Sequence, residues 1–355
     1  MLRLALCTVL MSLSAAAVAP AQQVAKIFFR DRAARPERIA DVTGAIVSES
    51  INGIKLKPPV GPNRDFLVND IIEVQYTPPT VLVIPMNQIA KLENDVKKNA
   101  GEALRKSIVD LQKEYNAILP TIKDNKSAPI KRQIQYRLAQ LQAILAGDVV
   151  AQQLQAIEAF NKFRKENANA WETVPAAREQ VQLLIGVNKL PEAAIVLDET
   201  AKTPELAKEI KQDLELMLID VMIRAGKTGE VEGRISKALA LLPANDPLAA
   251  RLRIYQLGCQ AARGDIEPAV AQLKDLIDKS SDAGLKALAY NTLGDCYSAK
   301  AKKKEAMWAY LWVDVVYNQD KVEHVKAVER LARVFKELGD DSHADKYREK
   351  MKSLR

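Results

Sequence analysis

The sequence predicts a mainly α protein: an α-solenoid of helical hairpins preceded by a small N-terminal β-barrel of SH3-like or Sm-like type. Three observations predict this. Turn residues recur at nearly equal intervals, apolar residues from about residue 86 onward follow helical spacing, and β-branched and aromatic residues cluster near the N-terminus. The intervals are 38, 38, 37 and 38 residues, between turn centres at Asn188, Gly226, Gly264, Ala301 and Gly339. A period of about 20–50 residues carried by helices indicates stacked repeats.

Residues 1–21 are predicted to be a cleavable secretory signal peptide. Arg3 supplies a positive start, residues 4–13 supply an apolar core, and Ala19-Pro20-Ala21 supplies a small-residue cleavage site, with cleavage after Ala19 as the alternative. The apolar core is too short to span a bilayer, and no later segment is long enough. The sequence therefore predicts a periplasmic or secreted protein without a transmembrane span.

Residues 22–79 are predicted to form the β domain. Four segments, at 25–29, 43–48, 53–57 and 66–76, are rich in β-branched and aromatic residues and are separated by turn residues. Asn52-Gly53 lies between two of these segments and is a strong hairpin signal. Four or five strands in about fifty residues suit a small barrel, which is close to the minimum size for independent stability.

Residues 80–129 are predicted to be a helical connector and residues 130–355 the helical repeats. Apolar spacing predicts helix from Met86 to about Leu119, with Gly101 as a division and Pro120 as the end. The predicted hairpins then cover 130–167, 174–207, 212–245, 250–283, 287–320 and 325 to the end. Small residues that follow the turns, such as Ala306, are expected where paired helices approach closely.

One of these hairpins resembles a tetratricopeptide repeat (TPR). That family's 34-residue unit is marked by an aromatic residue, Leu-Gly, Tyr, Ala and a second aromatic. The matching residues are Tyr290, Leu293, Gly294, Tyr297, Ala306 and Tyr310. The spacing of about 38 means that each unit carries about four extra residues. With the signal peptide and the β domain, the chain is also similar to exported bacterial TPR-like proteins.

The resemblance implies a protein-interaction scaffold that binds a partner on the concave face lined by the first helices. The positions that it places there are Asn291, Asp295, Ser298, Lys326, Glu329 and Arg333. The full set of Lys and Asn positions that some family members use to hold a peptide carboxylate is absent from the sequence. We therefore expect a protein or peptide partner in the periplasm or envelope, and the sequence does not predict a C-terminal peptide ligand.

The formal net charge is +7, and an exported chain is not expected to meet nucleic acid. The densest basic cluster is Lys300 with residues 302–304, in a predicted turn between helices. It is interpreted as a solvated turn. The alternative is a structural or assembly protein whose basic turns bind an acidic envelope polymer or surface.

Two cysteines remain after the signal peptide, Cys259 and Cys296, at matching positions in adjacent repeats. Stacked helices lie roughly 8–10 Å apart, whereas a disulfide needs Cα atoms within about 7 Å. The sequence therefore predicts two buried free thiols, although export would permit a bridge.

Catalytic and cofactor motifs are absent from the sequence. It contains no Gly-x-Ser-x-Gly elbow, no P-loop and no dinucleotide fingerprint. Its two histidines, His324 and His343, lack metal-ligand spacing. Both are interpreted as surface histidines. We predict no catalytic, cofactor-binding or metal-binding residue.

The segment at 307–317 is unusually aromatic. Trp308 and Trp312 share one helix face, while Tyr310 and Tyr317 share another. A helix that is apolar on two faces is predicted to be buried between neighbouring hairpins. The alternative is that one of the tryptophans anchors a partner on the outer surface.

Overall fold

The computed structural model describes residues 23–34, 38–124, 127–243 and 246–354, so the predicted signal peptide lies outside the described residues. The chain divides into two compact units, one up to Ala176 and one from Ala177. Within the described ranges, no helix combines the length and the apolar character needed to cross a lipid bilayer. The domain boundaries after residues 79 and 129 stay predictions.

The N-terminal strands form one antiparallel sheet in the order β4-β3-β2-β1-β5, and the predicted closed barrel is wrong. The strands are β1 (Val24–Asp31), β2 (Arg38–Ser50), β3 (Gly53–Lys57), β4 (Arg64–Leu67) and β5 (Ile71–Tyr76). Closure would require β4 and β5 to pair, but they occupy opposite edges. With only four residues, β4 is too short to supply a closing ladder with the necessary stagger.

The predicted hairpin around Asn52 is confirmed, with its turn displaced by one residue. Ser50 pairs with Gly53, so the two loop residues are Ile51 and Asn52. Gly53 has a φ of 141°, and a Cβ at this position would lie 1.9 Å from the carbonyl oxygen of Phe66. Only glycine allows β3 to approach β4 so closely.

Among the described residues, four α-helices follow the sheet and lie wholly within the first unit. They are α1 (Thr80–Lys98), α2 (Gly101–Ile118), α3 (Ala128–Ala146) and α4 (Val150–Glu166). Gly101, with a φ of 57°, separates α1 from α2 as predicted. The helix begins at Thr80, six residues before the predicted start at Met86, because Pro79 is tolerated just ahead of a first turn.

Ten more α-helices are described after α4, and they form the predicted hairpins. They are α5 (Thr173–Gly186), α6 (Leu190–Ala201), α7 (Lys208–Arg224), α8 (Thr228–Leu241), α9 (Pro247–Ala262), α10 (Ile266–Lys279), α11 (Ala283–Ala299), α12 (Lys303–Val315), α13 (Lys321–Glu337) and α14 (Asp341–Leu354). All five predicted turn centres have a positive φ, which the turns between paired helices require. These values are 58° at Asn188, 75° at Gly226, 110° at Gly264, 57° at Ala301 and 80° at Gly339.

Small residues pack the two helices of a hairpin together as the sequence predicts. The alanines that follow four of the turns are fully buried, at positions Ala193, Ala269, Ala306 and Ala344. In the α11–α12 hairpin, a Cβ on Gly294 would lie 2.2 Å from the ring of Tyr310. Gly294 therefore makes room for an aromatic ring in the core between the two helices.

Aspartates begin three of the first helices of the hairpins. Asp246 accepts from the Leu248 amide at the start of α9, and Asp282 accepts from the Leu285 amide at the start of α11. Asp320 accepts from two amides at the start of α13. Such caps stabilise a helix start by roughly 1 kcal/mol and fix where each first helix begins.

The prediction that the aromatic helix α12 is buried on two faces is wrong. Tyr310 is 2% exposed, but Trp308 is 62% exposed and Trp312 is 46% exposed. Ala306 and Ala309 take the closely packed positions, which leaves the larger indoles on the outside. Trp312 stacks on Tyr290 there, with ring centroids 5.8 Å apart.

Candidate functional site

A cavity of about 150 Å³ lies among the first helices of four consecutive hairpins, α7, α9, α11 and α13. Small residues of α9 (Gly258, Ala261 and Ala262) leave the space, and polar side chains from all four helices line it. Its polar lining residues are Asp220, Arg224, Tyr255, Asn291, Thr292, Asp295, Glu323, Lys326 and Arg330. Glu323, Lys326 and Arg330 are three and four positions apart on α13, so helical spacing puts them on one face.

Three of the six sequence-predicted site residues line this cavity: Asn291, Asp295 and Lys326. The other three do not. Ser298 contacts the hydroxyl of Tyr310 at 3.3 Å. Glu329 accepts from Arg224 at 2.8 Å and pairs with Arg333, whose side chain is 62% exposed. The assignment of these six residues to a partner-binding face stays a prediction.

Lys326 is held by two carboxylates at the cavity. Its Nζ lies 3.1 Å from Asp220 Oδ1 and 3.0 Å from Glu323 Oε1. Burial lowers the pKa of Lys326, but the two carboxylates outweigh burial and hold that pKa well above its ordinary value. Lys326 therefore stays charged and paired.

Asn291 lines the cavity and carries an unmatched acceptor oxygen. Its Nδ2 donates to the backbone oxygen of Glu323 at 2.9 Å and to Glu323 Oε2 at 2.8 Å. Both partners can only accept, so they fix which end of the amide faces them. Asn291 is 2% exposed, and its Oδ1 has no hydrogen-bond partner within the described chain. An unmatched buried acceptor favours a ligand that brings a donor.

Asp295 and Arg330 form a two-pronged pair at the edge of the cavity. Arg330 Nε donates to Asp295 Oδ1 at 2.7 Å, and its terminal nitrogen donates to Oδ2 at 2.6 Å. The hydroxyl of Tyr310 also donates to Asp295, at 2.8 Å. Every lining cation thus has a carboxylate partner: Lys326, Arg330 and, through Glu329, Arg224.

The sequence interpretation missed Asp220, Tyr255, Glu323 and Arg330. The repeat period could have found Asp220, since it lies 38 residues before Gly258 and Gly258 lies 37 before Asp295. Asp220 and Asp295 therefore occupy equivalent repeat positions. Glu323 and Arg330 could have been found as neighbours of Lys326 on the same helix face.

Comparison with known proteins gives similar folds only. The chain is similar to a tetratricopeptide repeat protein from Parabacteroides merdae, with 13% identity over 76% of this chain and 93% of that one, at a TM-score of 0.45. It is similar to YrrB, a TPR protein with an unusual peptide-binding site, with 17% identity over 59% and 96% at a TM-score of 0.31. It is also similar to the apo form of the quorum sensor NprR from B. thuringiensis, with 15% identity over 76% and 81% at 0.35.

The helical repeats are TPR-like. No protein-family model and no curated protein matches the chain. The resemblance therefore depends on the motif residues of the α11–α12 hairpin and on their packing.

The two cysteines of the TPR-like repeats are free and buried, as predicted. Burial raises the pKa of the Cys259 thiol to about 11 and that of the Cys296 thiol to about 12. A thiol with a raised pKa is a poor nucleophile at neutral pH. Cys296 lines the cavity, but this environment does not activate it.

One of the two histidines is not at the surface, so that prediction is wrong for His324. Its ring Nε2 lies 2.7 Å from Asp314 Oδ1, and its side chain is only 12% exposed. Lys350 and Tyr347 also contact Asp314, so the group ties α12, α13 and α14 together. His343 is half exposed and stacks on Phe335. Within the described ranges, no three His, Cys, Asp or Glu side chains are arranged to hold a metal ion.

Part of the basic cluster between α11 and α12 is neutralised. Lys300 pairs with Glu267, and Lys303 lies 3.7 Å from Glu337. Lys302 and Lys304 are exposed. These pairs bridge neighbouring hairpins, so two of the four lysines have a structural partner.

Proposed function

We propose that this protein is a non-catalytic interaction scaffold, exported to the periplasm or cell envelope, that binds an extended peptide segment of a partner protein in the cavity of its TPR-like repeats. The observation that carries the proposal is the buried side chain of Asn291, which lines the cavity and whose Oδ1 is an acceptor with no partner in the described chain. An extended peptide presents backbone N–H donors at regular intervals and can supply the missing hydrogen bond.

The charges around Asn291 support a peptide backbone over a carboxylate ligand. The lining cations are paired with carboxylates, and displacing one of those partners would leave a buried charge uncompensated. A neutral N–H group can bind without displacing either of these carboxylate partners. The small side chains of α9 leave room for one side chain of the peptide beside Asn291.

The chemistry of the cavity also supports a non-catalytic role. Cys296 has a raised pKa, Lys326 is held in its charged form, and the histidines lie elsewhere. A general base or nucleophile needs a pKa matched to neutral pH and an oriented partner. The polar groups of this cavity instead form a fixed hydrogen-bonding frame.

The binding proposal is tested with an array of ten-residue peptides and the purified chain. We expect selected peptides to bind, and methylation of one backbone nitrogen to abolish binding because it removes the N–H donor. Gly258→Met, which fills the cavity from α9, is expected to weaken binding at least tenfold. The matched control is Gly233→Met on α8, where a side chain meets open space and binding should be unchanged.

Binding that tolerates every single methylation, or that is unaffected by both Gly258→Met and Asn291→Leu, would contradict the proposal. Melting temperatures of the variants separate loss of binding from loss of folding. Similar losses in Gly258→Met and Gly233→Met would also count against the cavity as the binding site.

The export proposal has its own test. The full chain is expressed in a bacterial host, and the N-terminus of the accumulated protein is read by mass spectrometry. We expect it to begin at Gln22, or at Pro20 if cleavage follows Ala19, and to be released with the periplasmic fraction. An intact N-terminus in the cytoplasmic fraction would contradict export.

A further inference from the structure

A cluster of polar side chains joins the β sheet to the helices within the first unit. Its members, called the Arg132 cluster below, are Glu49 on β2, Tyr76 on β5, Arg132 on α3, and Trp171 and Glu172 just before α5. Arg132 donates to Glu172 Oε2 at 2.8 Å and to Glu49 Oε2 at 2.7 Å. The Tyr76 hydroxyl donates to Glu49 at 2.6 Å and accepts from Arg132 and from the Trp171 indole, each at 3.1 Å.

The Arg132 cluster holds two carboxylates against one guanidinium. Glu172 is fully buried, and its Oε1 has no hydrogen-bond partner within the described chain. A buried negative charge without full compensation is costly, so such a site favours the neutral form of a carboxyl group. Burial, opposed by Arg132 and assisted by Glu49, raises the pKa of Glu172 to about 7.

A second group of side chains in the same unit contains a carboxylate whose charge is balanced by one arginine. The Arg137 cluster consists of Glu93 on α1, Tyr115 on α2 and Arg137 on α3. Arg137 holds both oxygens of Glu93, at 2.8 and 2.7 Å, and Tyr115 donates to Oε1 at 2.8 Å. Here one guanidinium directly contacts one carboxylate, whose side chain is 19% exposed.

We propose that the Arg132 cluster makes the attachment of the sheet to the helices depend on pH: a proton on Glu172 stabilises the attachment, and loss of that proton weakens it. The titratable groups that face Glu172 are Arg132 from α3, Glu49 from β2 and Tyr76 from β5. Burial raises the pKa of Tyr76 well above its ordinary value, so Tyr76 stays neutral and Glu172 is the group that titrates near neutrality.

The direction of the pH dependence follows from the folded and unfolded states. Below the ordinary carboxyl pKa of 4.5, Glu172 is protonated in both states, and stability does not depend on it. From there to about pH 7 only the folded state keeps the proton, so the free energy of unfolding falls as pH rises. Above that range Glu172 is ionised in both states, and the loss is complete.

The test uses Trp171 as a local probe. The chain has three tryptophans, and Trp308→Phe with Trp312→Phe removes the two exposed ones. In this background, acrylamide quenching of Trp171 is measured from pH 5 to pH 9, together with hydrogen exchange of the β5 amides. We expect quenching and exchange to rise together as pH increases, in one transition with a midpoint near 7.

Two variants identify the titrating group. Glu172→Gln mimics the protonated carboxyl and should remove the transition, leaving Trp171 protected at pH 9. Glu49→Gln leaves Glu172 alone with Arg132 and should shift the midpoint to lower pH. The matched control is Glu93→Gln in the Arg137 cluster, which should leave the Trp171 transition unchanged.

A transition that persists in Glu172→Gln, or a wild-type Trp171 signal that does not change between pH 5 and 9, overturns the proposal. An unchanged midpoint in Glu49→Gln does so as well, and that variant decides the question if Glu172→Gln does not fold.

Discussion

Two arginines five residues apart on α3, Arg132 and Arg137, are the centres of clusters with the same parts but different charge balance. Each binds a glutamate that also bonds a tyrosine hydroxyl: Glu49 with Tyr76, and Glu93 with Tyr115. The Arg132 cluster adds a second carboxylate, Glu172, which is fully buried. One extra buried carboxyl thus separates a fixed structural contact from a contact that a proton controls.

The clusters should differ most in the free energy of unfolding that is lost when the arginine itself is replaced. Arg132→Met leaves the fully buried Glu172 and the partly buried Glu49 without a cation, and breaking such a pair costs about 3–5 kcal/mol. Arg137→Met leaves one partly exposed carboxylate that still accepts from Tyr115, at a cost of about 1–2 kcal/mol. Urea unfolding at pH 8 measures both. At pH 5 the loss of stability in Arg132→Met should be smaller, because Glu172 takes up a proton. Equal losses at both pH values would remove the distinction.

Neutralising one glutamate in each cluster should give effects of opposite sign. Glu172→Gln removes the unbalanced charge and should raise the free energy of unfolding at pH 8 by about 1–3 kcal/mol. Glu93→Gln removes a balanced charge and should lower it by about 1 kcal/mol. The difference for Glu172→Gln should vanish below pH 4.5, where the carboxyl is protonated anyway. The same sign for both variants at pH 8 would contradict the comparison.

Removing each tyrosine hydroxyl tests how many hydrogen-bond partners depend on it. Tyr76→Phe leaves Trp171 without its acceptor and Glu49 without a donor, which should cost about 2 kcal/mol. Tyr115→Phe removes one bond to Glu93, which Arg137 still holds, and should cost about 1 kcal/mol. Thermal unfolding at pH 6 measures both. A larger loss in Tyr115→Phe would show that the Arg137 cluster depends on its hydroxyl more than the distances indicate.

The repeat turns were predictable from sequence because they depend on local residues. A glycine or asparagine at a fixed interval supplies the positive φ that a turn between helices needs, as at Gly226 and Asn188. Ala301 breaks that chemical rule, and only the spacing identified its turn. The repeat positions of Asn291, Asp295 and Lys326 predicted a shared concave face, and these three residues line the cavity.

The Arg132 cluster was not predictable, because its members are far apart in sequence and follow no period. Arg132 is 83 residues from Glu49 and 40 from Glu172. The barrel prediction failed for a similar reason: closure depends on pairing between β4 and β5, which hydrophobic alternation does not encode. The aromatic pattern of α12 predicted two buried apolar faces. In the structure, close packing at Ala306 determines which of the two faces is buried.

The smallest expected difference is in the response of the two ion pairs to salt. Double-mutant cycles of Arg137 with Glu93 and of Arg132 with Glu172 give the coupling free energy of each pair. The Arg137 pair has side chains 24% and 19% exposed, so raising the salt concentration from about 0.05 to 1 M should reduce its coupling by about 0.5 kcal/mol. The Arg132 pair, at 14% and 0%, lies beyond the reach of most counterions and should change by less than about 0.2 kcal/mol. The cycles are best measured at pH 8, where Glu172 is ionised. Equal salt sensitivity would mean that water and ions reach Glu172, and the physical reason for its raised pKa would then be lost.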